Sequence, residues 1–106
     1  MQLPNVISTL IETQNNSNHE AHSECFSETA VVFDEGRNHH GRQEIKDWAA
    51  ETKAKYNTRV EPLKFGQDGN KAELSVRVTG TFPGSPVEMT YFMEIENDQI
   101  QSLRIS

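Results

Sequence analysis

The clearest pattern in the sequence is an alternation of apolar and polar side chains with a period of two. It runs through residues 73–82 and again through residues 87–96. Such alternation predicts β-strands that bury one face. Shorter strands are predicted over residues 30–33, 59–65 and 99–105, with turns at 68–70, 83–86 and 97–98.

The apolar positions also predict a register for the central hairpin. If Phe82 pairs with Val87, the inward apolar side chains of one strand lie opposite apolar side chains of the other. The pairs expected from this register are Val78 with Tyr91, Val76 with Met93 and Gly80 with Met89.

The sequence leaves the facing of the last strand open. A two-residue turn at positions 97–98 pairs Tyr91 with Arg104 on the inner face of the sheet. In that register the outer face carries Phe92, Leu103 and Ile105. A bulge in the last strand reverses these assignments.

Helical spacing appears in the first half of the chain. It predicts a first helix carrying Leu3, Val6, Ile7, Leu10 and Ile11, and a short second helix over residues 19–26. A third helix is predicted over residues 42–55, after a polar loop at 34–41. Its inward stripe consists of Ile45, Trp48, Ala49, Thr52 and Tyr56.

The resulting element order is α-α-β-α-β-β-β-β. It predicts an α+β fold in which a curved antiparallel or mixed sheet of about five strands packs on three helices. The length of 106 residues predicts a single domain over residues 1–106. With 34% hydrophobic residues, its core should be thin.

Charge argues against several classes of partner. The net charge is −6, and residues 1–36 contain six acids with no Lys or Arg. No basic stripe is present, so a nucleic-acid partner is not expected. No apolar run is long enough to span a bilayer, and no membrane association is expected. The lone Cys25 and the absence of a secretory signal predict a cytoplasmic protein.

Local residues together with this element order resemble the nuclear transport factor 2-like superfamily, most closely its SnoaL-like branch. The likeness consists of a phenylalanine that ends the second helix, a short hydrophobic strand, an acidic turn, and a Gly-Arg pair that opens the third helix. The residues that carry it are Cys25, Phe26, Ala30, Val31, Val32, Asp34, His40, Gly41, Arg42, Glu44, Ile45 and Trp48.

This resemblance implies a cone-shaped fold in which the curved sheet wraps the long helix and a pocket opens at one end. Members of the superfamily include isomerases, dehydratases, epoxide hydrolases, polyketide cyclases and binders without activity. Homodimers through the outer sheet face are common among them. The family therefore predicts a pocket without fixing its chemistry.

Four residues are candidates for acid–base chemistry. Asp34 follows the first strand near the expected pocket mouth and is the candidate base, although it also suits a solvated loop. His39 is a candidate proton shuttle or a helix cap, like its neighbour His40. Tyr91 and Arg104 are candidate stabilisers of a developing negative charge, unless Tyr91 is simply core and Arg104 lies outside.

A set of apolar positions is expected to line the pocket, although such a stripe is more often plain core. Gly80 leaves either room for a ligand or a bend in its strand. The expected lining residues are Phe26, Trp48, Tyr56, Val78, Gly80, Phe82, Met89 and Met93.

No cofactor or metal is expected. His19, His22 and Cys25 recur every three residues along a helix, but this spacing drifts around the helix and no fourth ligand is evident. Phosphate-binding loops, serine nucleophile elbows and zinc-protease motifs are absent from the sequence.

Two functions follow from these observations. One is an enzyme that performs cofactor-independent isomerisation, cyclisation, dehydration or hydration on a small apolar molecule. The other is a binding or association module without activity. In either case a homodimer through the outer sheet face is expected. Its predicted residues are Arg77, Thr79, Thr90, Phe92, Leu103 and Ile105.

Overall fold

The structure, a computed structural model, describes residues 1–106 and has the predicted α+β architecture with three helices. No helix in it has the length and apolar character needed to cross a membrane. The elements are α1 (Asn5–Asn15), α2 (His19–Glu24), β1 (Phe26–Asp34), β2 (Arg37–His40), α3 (Gly41–Tyr56), β3 (Arg59–Asp68), β4 (Lys71–Thr79), β5 (Val87–Glu96) and β6 (Gln99–Ile105).

The six strands form one mixed sheet in the order β2-β1-β6-β5-β4-β3. All neighbouring strands are antiparallel except β1 and β6, which are parallel. The last strand of the chain therefore lies inside the sheet, between the first strand and the fifth. The sheet curves around the helices without closing, as expected for a cone of the nuclear transport factor 2-like kind.

Strand β2 is the sixth strand, where the sequence predicted a loop over residues 34–41. Glu35 and Gly36 have φ angles of 53° and 76° and form a two-residue turn that pairs Asp34 with Arg37. Two consecutive positive φ values match the right-handed twist of a hairpin. The polar strand carries no alternation, so its pattern gave no signal.

The predicted register of the central hairpin is wrong by four residues. Val78 pairs with Val87 and Val76 with Met89, whereas Tyr91 pairs with Leu74. Because four is an even number, the same side chains still face inward. Val76, Val78, Tyr91 and Met93 are all buried.

A contact with the end of α3 explains this shift. The backbone N–H and the hydroxyl of Thr81 both donate to the carbonyl oxygen of Tyr56, at 2.8 and 3.1 Å. Residues 80–82 are therefore attached to α3, and β4 ends at Thr79 instead of continuing to Phe82. The connection to β5 is longer than predicted for the same reason.

The last hairpin contains the bulge that the sequence left open. Ile95 pairs with Ile100, but Glu94 pairs with Ser102, so Gln101 is the extra residue. Its side chain bonds to β1, accepting from Ser27 at 2.7 Å and donating to Thr29 at 3.1 Å. The bulge is thus held by the neighbouring parallel strand.

This bulge overturns the inner pairing of Tyr91 with Arg104. Tyr91 pairs with Ile105 instead, and Leu103 is buried. Arg104 lies on the outer face, where its guanidinium stacks 4.3 Å from the ring centre of Phe92. Leu103 and Ile105 therefore leave the predicted outer patch.

The core is a single cluster of 17 buried apolar residues contributed by α1, α3, the strands and Cys25 at the end of α2. Phe26, Ile7, Leu10 and Ile45 are completely buried. Ile45 is the only fully buried residue of α3, although the helix carries a five-residue inward stripe. The rest of that stripe is only half-buried because it faces a cavity instead of packed side chains.

Candidate functional site

The cavity lies between α3 and the inner face of the sheet and has a volume of about 480 Å³. A volume in this range suits a small organic ligand. Half of its lining residues are apolar. The lining consists of Gln14, His19, His22, Asp34, Glu35, Trp48, Ala49, Thr52, Lys53, Tyr56, Thr58, Val78, Phe82, Pro83, Val87, Met89, Tyr91 and Ile105.

Asp34 places a carboxylate in this wall at the end of β1. Its Oδ2 accepts a hydrogen bond from the indole N–H of Trp48 at 3.1 Å. Burial raises the pKa of the Asp34 carboxyl above its ordinary value of 3.8, and the charge of Glu35 adds to this effect, while the Trp48 bond opposes it. The group is therefore a stronger base than a solvated aspartate.

Tyr91 extends from β5 into the same cavity. Its hydroxyl lies 3.2 Å from Nε2 and 3.4 Å from Oε1 of Gln14 on α1. Burial raises the pKa of Tyr91 to about 12, and the charge of Asp34 contributes in the same direction. The phenol therefore keeps its proton at physiological pH and remains a hydrogen-bond donor.

His22 on α2 is the most unusual polar residue in the wall. Only 2% of it is exposed, and its Nδ1 is the one buried side-chain nitrogen or oxygen without a hydrogen-bond partner. The ring packs on Phe26 and Trp48, with centre distances of 5.5 and 6.3 Å. Burial lowers the pKa of His22 to about 4, so the imidazole is neutral at pH 7.

Two further polar contacts secure the rim and floor of the cavity. The hydroxyl of Tyr56 donates to Oε1 of the exposed Glu35 at 3.1 Å. Lys53 donates to the carbonyl oxygens of Thr58 and Asn15. The side chains of Tyr56 and Lys53 thus join α3 to the turn after β1, to the segment before β3 and to the end of α1.

Five of the eight residues predicted to line the pocket do so in the structure. They are Trp48, Tyr56, Val78, Phe82 and Met89. Phe26 and Met93 belong to the packed core instead.

Gly80 is the third exception, and it offers neither ligand room nor a place opposite Met89. A Cβ atom there would lie 2.4 Å from the carbonyl oxygen of Tyr56. Glycine is needed at this position because the chain passes so close to the end of α3.

The four predicted acid–base residues separate into two groups. Asp34 and Tyr91 line the cavity together. His39 packs on Trp48 at a ring-centre distance of 5.7 Å and borders a separate polar cleft of about 210 Å³. Arg104 lies on the outer face, so the structure brings neither of these two residues to the cavity.

Sequence reasoning missed Gln14 and His22 as site residues. The sequence places Gln14 beyond the apolar stripe of α1, and it places His22 on the inward face of α2 without indicating a chemical role. The i, i+3 recurrence of His19 and His22 was the one available signal, since both residues line the cavity. No group of three or more His, Cys, Asp or Glu side chains in the structure is arranged to hold a metal ion.

A family comparison agrees with this geometry. The family model of the SnoaL-like domain matches residues 7–103. The chain belongs to the SnoaL-like domain family. No protein of curated function matches this SnoaL-like chain.

Solved structures extend the comparison. A "putative polyketide cyclase" from Sinorhizobium meliloti is 36% identical to the SnoaL-like chain, with 98% of this chain and 95% of that chain covered and a TM-score of 0.95. A protein with a ketosteroid isomerase-like fold from Catenulispora acidiphila, solved in complex with trimethylamine, is 20% identical, with coverages of 99% and 86% and a TM-score of 0.89. The second likeness shows the fold alone.

Proposed function

We propose that the cavity binds a small, largely apolar molecule and that Asp34 transfers a proton on it without a cofactor. The observation that carries this proposal is the Asp34 carboxylate, which lies half-buried against Trp48 in the wall of a cavity of about 480 Å³. A carboxylate with a raised pKa is suited to general-base catalysis near neutral pH. The 36% identity to a protein named as a polyketide cyclase supports the same class of chemistry.

In this proposal Asp34 is the general base and Tyr91 stabilises the negative charge that develops on the substrate. Asp34 would take a proton from a carbon next to a carbonyl group, and the electron pair of the broken C–H bond would move toward the carbonyl oxygen. The Tyr91 hydroxyl would donate a hydrogen bond to that oxygen as its negative charge develops. Where a carbon–carbon double bond adjoins the deprotonated carbon, return of the proton from Asp34 to the far carbon of that bond would re-form the carbonyl group, shift the double bond and complete an isomerisation.

Exchange of hydrogen for deuterium at such a carbon tests the base. In deuterium oxide, the protein should accelerate exchange in a panel of small cyclic ketones followed by NMR. Asp34→Asn should reduce the rate about a hundredfold, because positioned bases typically contribute that much or more. Asp47→Asn is the matched control, since Asp47 is an exposed acid of α3 that lies outside the cavity lining.

Two results would contradict this assignment. One is an Asp34→Asn rate equal to that of the unaltered protein. The other is an NMR titration in which the Asp34 carboxyl shows its ordinary pKa of 3.8. In either case the base role is lost while ligand binding remains open to test.

We also propose a homodimer through the outer sheet face. This face carries Phe33, which is 39% exposed, next to Arg104, whose guanidinium stacks on Phe92. Thr90 lies on the same face, as do Arg77 and Thr79 nearer the edge, where Arg77 pairs with Glu61 at 3.2 Å. An exposed aromatic next to a stacked arginine is typical of interface composition.

Sedimentation tests this interface. The unaltered protein should sediment as a dimer at micromolar concentration, and Phe33→Glu should sediment as a monomer because a charge would be buried. Val87→Glu is the control, since Val87 is 38% exposed but lines the cavity. A monomer at high micromolar concentration for the unaltered protein would contradict the proposal.

A further inference from the structure

Asp34 forms no ion pair in the protein, and the one basic side chain that lowers its pKa, His39, lies outside the cavity lining and has the smallest effect. The three ion pairs of the structure are Arg42 with Glu28, Lys46 with Glu20 and Arg77 with Glu61. Asp34 receives only the indole N–H of Trp48 and the backbone N–H of Glu35. A half-buried carboxylate that is hydrogen-bonded only by neutral donors retains most of its demand for positive charge.

Two of the three basic side chains in the cavity lining, Lys53 and His22, do not meet this demand. The Lys53 ammonium is occupied by the carbonyl oxygens of Thr58 and Asn15. His22 is neutral at pH 7, because burial lowers its pKa to about 4. Glu35 adds a second carboxylate at the rim. His19 remains as the only other basic side chain in the lining.

The walls next to these carboxylates are aromatic. Trp48, Tyr56, Phe82 and Tyr91 all line the cavity, and the rings of Tyr56 and Phe82 meet edge to face at 5.9 Å. The faces of aromatic rings carry partial negative charge and attract organic cations. Carboxylates and ring faces thus favour the same sign of charge in the ligand.

We propose that the ligand of this cavity is an organic cation, a small apolar molecule with an ammonium group that serves as the counter-ion of Asp34. This inference rests on the proposed function, since it uses the same cavity and the same carboxylate. It also adds to that function. A bound ammonium group would hold the ligand against Asp34 and oppose the effect of burial on its pKa, so the carboxylate would stay ionised and able to accept a proton, as a weaker base than in the empty cavity.

Two probes of nearly equal shape, one cationic and one neutral, test this inference. One is choline, and the other is the neutral alcohol in which a carbon atom replaces the choline nitrogen. Trp48 is the only tryptophan of the chain and lines the cavity, so its fluorescence reports binding of both probes. At constant ionic strength and pH 7, choline should bind about tenfold more tightly than the alcohol.

Variants separate the two sources of attraction. Asp34→Asn should bring the two affinities to within about threefold of each other, because it removes the unpartnered charge and preserves the side-chain shape. Phe82→Leu should weaken choline binding more than alcohol binding, since it removes a ring while leaving apolar surface. Glu28→Gln, an acid outside the cavity, should leave both affinities unchanged.

The outcomes that overturn the inference are distinct from those that overturn the proposed function. Equal or tighter binding of the alcohol contradicts the proposal that the ligand is a cation. A tenfold preference for choline that persists in Asp34→Asn contradicts the proposal that Asp34 is its counter-ion. Binding of the neutral dye N-phenylnaphthylamine without binding of choline also contradicts the cationic ligand. The proposal that the cavity binds a small apolar molecule would then still stand. Failure of all three probes to change Trp48 fluorescence overturns both proposals.

Discussion

Acidification from pH 6.5 to about 4 should lower the free energy of unfolding by about 3 kcal/mol through His22 alone. In the unfolded chain, the His22 imidazole takes up a proton near its ordinary pKa of 6.5, whereas burial lowers the pKa of the folded state to about 4. Between these values the unfolded state binds more protons. The contribution of the neutral His22 to stability is therefore present above pH 6.5 and is lost as the pH falls from 6.5 to about 4.

The comparison variant for this prediction is His22→Phe. Phenylalanine keeps a ring next to Phe26 and Trp48 but carries no ionisable nitrogen. Urea unfolding at a series of pH values should show the 3 kcal/mol decline in the unaltered protein and not in the variant. At pH 7 the variant should be at least as stable, because the unpartnered Nδ1 is removed.

Other groups titrate near this range, but they are present in both proteins. Their contributions cancel when the unfolding free energy of His22→Phe is subtracted from that of the unaltered protein. The raised pKa of Asp34 acts in the opposite direction, since the folded state then takes up a proton first. The lowered pKa of Glu20, caused by its bond with Lys46, acts in the same direction as His22 but at lower pH. Equal pH profiles for the unaltered protein and His22→Phe would show that the imidazole is not buried in the folded protein.

Phe26→Ala should lower the free energy of unfolding by about 3–5 kcal/mol, because it empties a completely buried aromatic position. Phe33→Ala on the same strand provides the control. The Phe33 ring is 39% exposed. Its removal should therefore lower the free energy of unfolding of the monomer by about 1 kcal/mol or less. Chemical denaturation of both variants measures the difference.

A second measurement on Phe26→Ala distinguishes core from pocket. Phe26 is in the packed cluster and not in the cavity wall, so the folded fraction of the variant should bind cavity probes with unchanged affinity. Destabilisation equal to that of Phe33→Ala, or a loss of probe binding by folded protein, would place Phe26 in the pocket as the sequence predicted.

The sequence predicted the elements whose identity depends on local patterns. The bounds of β5 and β6 agree with prediction because turn residues at 83–86 and 97–98 mark where these strands begin. The register failed because it depends on a distant contact, the bond between Thr81 and the end of α3. Strand β2 was missed because its pairing depends on two positive φ angles rather than on apolar residues.

Site prediction succeeded and failed for similar reasons. Trp48 and Tyr56 could be placed in the cavity because they share the inward stripe of α3. Arg104 could not be placed, since one bulged residue decides its face. His22 could be placed on the inward face of the second helix, but the sequence did not indicate its packing against Phe26 and Trp48 at the cavity.

The parallel pairing of β1 with β6 bears on how the chain folds during synthesis. Until β6 leaves the ribosome, β1 and β2 can form only a separate hairpin, apart from the meander of β3, β4 and β5. Each of these parts then presents an unpaired edge, which is a site for aggregation. The nascent chain must keep both edges apart until its seven-residue closing strand joins them.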